Sequence, residues 1–373
     1  MSQQQGASAS ASPSLSRLSS LRTTLLAGWF KHNWLTRLLW PLSLLFGSIA
    51  FLRRVAFHTF LKPAPLAVPV IVVGNIFVGG TGKTPLTIWL VEQLRAAGFT
   101  PGVISRGYGA IHHPQPFLVQ ADSTPQQVGD EPRLIFDKTA CPLMVGRQRW
   151  QVAHALLQQF PQVDVIISDD GLQHYALPRQ LEIMLFDQRG VGNGSLLPSG
   201  PLREGAGRRR DFTVVNGAQP ADLAQNLAAF GAADPARTYA MQLRGTRAWQ
   251  LASAVQPRQM QDLMRLPQQF PGRILAAAGI GHPERFFSML AELGLQCETL
   301  ALPDHFDFAS NPFANYPPAA LGLILITEKD AVKCAALASI AHDPRVWVVP
   351  VEAEIDPMLA QHIVEKCRGC SLA

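Results

Sequence analysis

The densest chemistry in the chain is Gly79-Gly80-Thr81-Gly82-Lys83-Thr84. Backbone N–H groups of such a loop, with a helix N-terminus behind them, wrap a polyphosphate; the lysine reaches the terminal phosphates and the threonine hydroxyl binds Mg²⁺. The usual pattern, G-x-x-x-x-G-K-[ST], wants glycine at 77, where this chain has Phe77. Its glycines stand at 79, 80 and 82 instead, nearer the GGxGKT form of some P-loop ATPases. A phosphate loop also needs a carboxylate for its metal, at the end of a nearby strand. Asp169-Asp170, after the apolar run VDVIIS, supplies two, with His174 close behind. Adjacent carboxylates beside a phosphate site repel unless a cation sits between them; the simpler alternative is a capped helix start.

Three further clusters are too polar and too glycine-punctuated for core. Gly129-Asp130-Glu131-Pro132 places two acids in a turn, and Pro303-Asp304-His305-Phe306-Asp307-Phe308 sets one histidine between two acids. A histidine in that position is by itself more often structural. The stretch from Asp187 through Gly190, Gly192 and Gly194 to Arg203-Glu204 is a long Gly/Pro-rich loop, a kind that is functional or mobile inside a compact domain. Thr327-Glu328-Lys329-Asp330 resembles the guanine motif [NT]-K-x-D with its lysine one place late, which argues against a GTPase.

These residues need elements to position them. VPVIVVGNI (68–76) reads as a buried strand, Pro85 to Ala97 as a helix ended by Gly98, and GVIS (102–105) as the next strand. That order opens a parallel α/β sheet. Further strands are expected at 142–146, 163–168, 181–187 and 211–217, then, past a polar, Ala-rich stretch at 218–237, at 273–281, 321–330 and 346–352. The expected organisation is a P-loop NTPase-like parallel-sheet domain over 63–237 and a second, smaller α/β domain over 238–373 that closes over the nucleotide cleft. No internal repeat is present. Residues 1–20 are low-complexity and expected to be disordered.

Of 373 residues, 47% are apolar and 16% charged, enough apolar mass for a large core and against a disordered chain. The net charge of +5 is unevenly spread. No acid precedes Glu92, so residues 1–91 carry eight bases and +8, and the remainder −3. A basic front suits either nucleic acid or an anionic membrane. The uncharged run Leu38–Leu52, bracketed by Arg37 and Arg53-Arg54 and preceded by Trp29, Phe30 and Trp34, decides for the membrane. Fifteen residues fall short of a span, so an interfacial or partly inserted helix over 21–62 is expected, with a hydrophobic helix packed on the body as the alternative. No nucleic acid partner is expected, and no secretory signal. The five cysteines are scattered, and the terminal Cys367-Arg-Gly-Cys370 has no second pair to complete a zinc site.

Taken together, VGNIFVGGTGKTP, SRGYG, GDEP, SDDGLQH, DQRGVGNGSLLPSGPLRE, GIGHPERFF, LPDHFDF and TEKDAVK, in this order, closely resemble the tetraacyldisaccharide 4′-kinase family of lipid A biosynthesis. The absence of glycine at position 77 is part of that family's pattern; Gly205 stands where proline is expected. The resemblance implies ATP- and Mg²⁺-dependent phosphorylation of the 4′-hydroxyl of a tetraacylated glucosamine disaccharide 1-phosphate, giving lipid IVA, at the cytoplasmic face of the bacterial inner membrane with peripheral or monotopic attachment. The choice of ATP over GTP rests on it.

On this reading Gly79, Gly80, Thr81, Gly82, Lys83 and Thr84 bind the nucleotide, and Lys83 also acts in catalysis. Thr84, Asp169, Asp170 and Glu204 are the candidates for the metal shell. The resemblance makes Asp130 the base for the sugar hydroxyl, with His305 orienting it. Arg106, Arg147, Arg149, Arg203 and His174 are candidates for the anionic substrate. No obligate protein partner is implied. The competing reading is a membrane-associated P-loop ATPase switch of the partitioning or metal-insertion type, which needs no sugar-hydroxyl base.

Overall fold

The computed structural model describes residues 21, 23–61, 64–111, 113–253, 257–263, 273–316 and 321–369. The expectation of disorder over 1–20 lies outside the described residues, as do Arg22, Lys62 and Cys370.

The apolar runs pair into two sheets. The larger contains β1 (Val70–Gly74), β2 (Pro101–Ser105), β3 (Phe117–Leu118), β4 (Leu143–Val145), β5 (Val165–Asp169), β6 (Leu181–Asp187), β7 (Phe212–Asn216) and β8 (Thr238–Arg244). The smaller contains β9 (Arg247–Gln250), β10 (Arg258–Gln259), β11 (Arg273–Ala278), β12 (Glu298–Ala301), β13 (Leu321–Thr327) and β14 (Val346–Val349), in the order β10-β9-β14-β13-β11-β12. A last strand, β15 (Glu352–Ile355), returns to the larger sheet, giving the order β15-β8-β7-β6-β1-β5-β2-β4-β3.

Strands β1, β2, β5 and β7 are buried at every position, as a parallel sheet covered on both faces requires. On one face Leu86, Leu90 and Leu94 of α2 (Lys83–Ala96) pack over Ile71, Val73 and Val103. On the other, Val152 and Leu156 of α4 (Arg149–Gln159) join Val70, Ile166 and Phe186. Parallel pairing sets Val73 beside Asp169, so the phosphate loop after β1 and the acid pair after β5 open at one sheet edge, where open α/β sheets bind ligands.

The domain boundary falls elsewhere than expected. β8 extends the larger sheet by pairing in parallel with β7, and β15 then pairs antiparallel with β8. Helix α7 (Pro357–Gly369) buries Leu359, Ile363 and Cys367 in the same core as α2. The smaller unit is therefore an insertion of about β9 to β14 rather than 238–373. The physical reason is that an edge strand needs one partner only, and β15 finds its partner more than a hundred residues upstream.

The N-terminal apolar run is longer as a helix than as a sequence: α1 spans Trp34–Thr59, started by a capping box of Asn33 and Thr36. By length and composition, Trp34–Phe57 is able to cross a membrane, and only 11% of its most apolar stretch is buried. One stripe, Thr36, Ser43 and Gly47, docks on the 193–202 loop. Ser43 Oγ donates to the Leu196 carbonyl and accepts from Ser199 N–H, both at 2.9 Å, and Ser199 Oγ donates to the Thr36 carbonyl. A Cβ at Gly47 would lie 2.7 Å from Leu196. Outside that contact the helix exposes Leu38, Trp40, Leu42, Leu45, Ile49, Phe51 and Leu52.

Candidate active site

Gly79 and Gly82 both have positive φ, 107° and 101°, the conformation that wraps the loop around an anion. Gly82 also caps α2, so the orphan N–H groups of the helix start face the loop's interior. Any Cβ at Gly82 would meet Asn216 Nδ2 at 2.6 Å; that amide instead donates to the Thr81 carbonyl. Lys83 is held between Asn75 Oδ1 (3.4 Å) and Asp170 Oδ1 (3.6 Å). Phe77, in the place of the consensus glycine, is buried with the Arg189 guanidinium 4.2 Å over its ring, and Arg189 Nη2 donates to the Gly80 carbonyl. The departure from the consensus thus braces the loop from outside. Thr84 follows in the first turn of α2.

The acid pair divides into two environments. Asp169 is buried and accepts from Thr87 and Ser105 hydroxyls. Burial, then Glu131 and Asp170, push its carboxyl well above the usual carboxylate range. Asp170 has φ 48°, a strained conformation for aspartate. Burial pushes its pKa up too, but Lys83, Arg203 and Arg149 outweigh this and hold it below its ordinary value. Its Oδ1 is buried without a hydrogen bond. Among the described residues no group of three or more His, Cys, Asp or Glu is arranged to hold a metal alone. An orphaned carboxylate oxygen beside a P-loop lysine fits a cation that is completed by phosphate oxygens and water, the mode Mg²⁺ favours.

Glu204 stands apart from that set. Both its oxygens accept from Arg208 Nη1, and Gln173 donates to it as well. Reaching a metal would break a buried pair, so its expected place in the metal shell finds no support in this arrangement. Gly205 is exposed with nothing within 4 Å of an added Cβ, so glycine there satisfies no steric demand.

Arg203 reaches Asp170 Oδ2 at 3.6 Å. Arg149, at the start of α4, is buried and donates to the Gly146 carbonyl, while its Nε and Nη2 have no partner. His174 lies near it: burial, then Arg149 and Arg106, bring its pKa down to about 4. Arg106 and Arg147 are exposed at the rim.

The smaller unit completes the cleft. His305, in a strained turn at φ 58° after β12, donates through Nδ1 to Asp130 Oδ2 at 3.0 Å. Asp130 starts α3 (Asp130–Thr139), where its charge suits the helix dipole. Burial would raise its carboxyl, but the His305 hydrogen bond, then Lys329 and Lys333, bring it down to about 2. Two residues 175 positions apart in the chain, one from each unit, are thus in contact. Sequence reasoning missed several supporting groups. Tyr108, exposed in the SRGYG turn, sets its ring 5.1 Å from that of His305, tilted by 48°. Asp187 joins Arg189 to Arg285 of the smaller unit. The TEKDAVK segment approaches Asp130 through its lysines.

A P-loop at the carboxyl edge of a parallel sheet, an acid pair beside its lysine and a carboxylate–imidazole pair joining two units suit a phosphotransferase. The comparisons with known proteins agree. The family described as tetraacyldisaccharide-1-P 4′-kinase matches residues 35–368, and the chain belongs to it. A tetraacyldisaccharide 4′-kinase of Herminiimonas arsenicoxydans is 53% identical over 95% of this chain and 99% of its own. One from Dechloromonas aromatica is 43% identical over 94% and 100%. The crystal structure of LpxK from Aquifex aeolicus in complex with ATP superposes with a TM-score of 0.70 at 25% identity, covering 89% of this chain and 99% of that one. The chain is accordingly an ATP-dependent kinase of lipid A biosynthesis, and the alternative of a partitioning or metal-insertion ATPase is set aside.

Proposed function

We propose that the chain transfers the γ-phosphoryl of ATP to the 4′-hydroxyl of a tetraacylated disaccharide 1-phosphate, with Asp130 as the base that accepts the hydroxyl proton. The observation that carries this is the hydrogen bond from His305 of the smaller unit to Asp130 at the start of α3. Phosphoryl transfer needs clamped phosphates, neutralised charge and an aligned hydroxyl rather than a covalent intermediate. Gly79 to Thr84 are the clamp on this reading, with Lys83 on the terminal phosphates. Thr84 with Asp169 or Asp170 would hold Mg²⁺, which when bound would neutralise charge on the phosphates. The unpartnered Arg149 nitrogens, with Arg106, Arg147, Arg203 and His174, support an anion site for the 1-phosphate or for ATP. The direct test incubates the protein with radiolabelled ATP and the lipid acceptor: label at the 4′ position is expected, and acceptor-independent ATP turnover with no labelled lipid would overturn the reading.

The exposed side of α1 supports attachment to the anionic cytoplasmic leaflet that carries the substrate, its aromatic and leucine side chains in the interface and Arg37, Arg53 and Arg54 at the headgroups. The contacts with the 193–202 loop run through Thr36, Ser43 and Gly47, so charge placed at exposed positions such as Leu45 and Phe51 leaves that docking intact. The pair Leu45→Glu and Phe51→Glu is expected to weaken binding to phosphatidylglycerol vesicles by about tenfold or more, with ATP affinity unchanged. Co-sedimentation checks this; undiminished binding by the double variant would sink it.

A further inference from the structure

The TEKDAVK segment forms α6 (Glu328–Cys334), and its charged side chains meet α3 at the junction of the two units. Lys329 reaches Glu131 at 3.1 Å and Asp304 at 3.9 Å, and Glu328 pairs with Lys138. These two lysine pairs have partners enough. Lys333 differs: it is buried, its ammonium makes no hydrogen bond, and its two nearby acids are Asp130 Oδ2 at 3.6 Å and Asp330 Oδ1 at 3.7 Å. The Phe308 ring, 5.7 Å from Nζ, covers it. A buried cation without hydrogen bonds is costly, and a fold that keeps one gains something from its charge.

What it faces shows the gain. His305 and Lys333 both approach the same Asp130 oxygen, Oδ2. Oδ1 is left toward the Tyr108–Gly109 turn, where a Cβ at Gly109 would come within 4.0 Å. The same helix also sets the histidine. Asp330 Oδ2 accepts from Thr327 Oγ1 and from Gly279 N–H, and the Gly279 carbonyl accepts from His305 N–H. A Cβ at Gly279 would stand 2.8 Å from Asp330 Oδ1, so only glycine allows this approach.

We propose that Lys333 is a positioning residue for the acceptor-side base: with His305 it fixes Asp130 through Oδ2 and leaves Oδ1 free for the acceptor hydroxyl. This rests on Asp130 being that base. The charged groups facing Asp130 are His305, Asp304, Glu131, Lys329, Lys333 and Asp330, from three different elements. Lys333 pairs with the Asp130 carboxylate at 3.6 Å whereas Lys329 pairs with Glu131, so removing Lys333 frees the carboxylate to rotate without stripping Glu131 of its partner.

The test is a double-mutant cycle on the full chain with ATP and the lipid acceptor. Lys333→Met is expected to lower kcat about tenfold with the KM for ATP unchanged, and Lys333→Arg to recover most of the loss. In the Asp130→Asn background the same Lys333→Met change is expected to alter kcat less than about twofold. Parent kcat in Lys333→Met, or an equal loss in both backgrounds, overturns the proposal. Lys333→Gln repeats the measurement, with ATP-dependent thermal shift reporting the fold. If neither neutral variant folds, the charge serves the fold rather than the base, and the proposal is overturned as well. Near-parent turnover by Asp130→Asn alone would instead overturn the reading of the base, a separate outcome.

Discussion

Asp130→Asn is expected to reduce kcat by about a thousandfold while leaving the KM for ATP within about twofold of the parent, since general-base catalysis contributes roughly 10²–10⁴. Asparagine keeps the shape and can still meet His305, but its amide cannot take a proton from the sugar hydroxyl. The phosphate loop follows β1 and the acid pair ends β5, whereas Asp130 starts α3 and pairs with His305 of the smaller unit, so ATP binding is expected to change little. His305→Ala is expected to cost less, about a hundredfold, because Lys333 still holds the same carboxylate oxygen. The pH dependence follows from the direction of the shift. Asp130 is lowered from its ordinary value to about 2, so its charged form is favoured and is lost only as pH falls through about 2. Between pH 5 and 8 it therefore contributes no acid limb to kcat, and a limb found there belongs to another group. Steady-state kinetics with saturating lipid and varied ATP, over that pH range, checks both statements. Turnover by Asp130→Asn within tenfold of the parent would remove Asp130 from the role of base.

Much of this site is legible in the chain because its residues sit at the ends of strongly patterned strands. A β-branched run followed by GGTGKT, and another followed by two aspartates, place phosphate loop and acid pair at one sheet edge before any coordinates are known. The pairing of Asp130 with His305 was legible only through the resemblance, because a contact across 175 residues between two units leaves no periodic trace. The return of β15 and α7 to the larger sheet was missed for a related reason. An edge strand of alternating exposure is a weak signal, and its partner β8 lies on the far side of the inserted unit. Lys329 and Lys333 were hidden by their motif: TEKD reads as a failed guanine signature, and nothing local says that its lysines face a carboxylate near residue 130. The sequence count of uncharged residues stops at Arg53, whereas the helix α1 continues through Arg53 and Arg54 to Thr59, because arginine is a good helix former.

Lys83→Met carries the second large expectation: a fall in kcat/KM of about a thousandfold or more, roughly 4 kcal/mol at 1.36 kcal/mol per decade, with ATP affinity weakened at the same time. Unlike Asp130, Lys83 would act on both the ground state and the transition state, because the terminal phosphates are charged before transfer and more so during it. The lysine's position is fixed by Gly82, whose left-handed conformation starts α2 one residue earlier, and by Asn75 Oδ1 at 3.4 Å. Its charge also has a second task. Asp170 is held below its ordinary pKa against the opposing effect of burial, and Lys83 is the largest of the charges that do so. Methionine fills the same space without the charge, so the Asp170 carboxyl rises toward the protonated form that burial favours, and a protonated acid is a poor partner for Mg²⁺. The variant is therefore expected to need more Mg²⁺ for half-maximal rate as well as more ATP. Lys83→Arg is not expected to rescue it, because a planar guanidinium does not reproduce a compact ammonium wedged between Asn75 and Asp170. Titration calorimetry with ATP and rate measurements over a Mg²⁺ series separate the two effects. If Lys83→Met lost turnover with an unchanged Mg²⁺ requirement, the lysine would act on phosphate alone and Asp170 would not depend on it; if turnover stayed within tenfold of the parent, the loop's assignment as the catalytic phosphate clamp would be wrong.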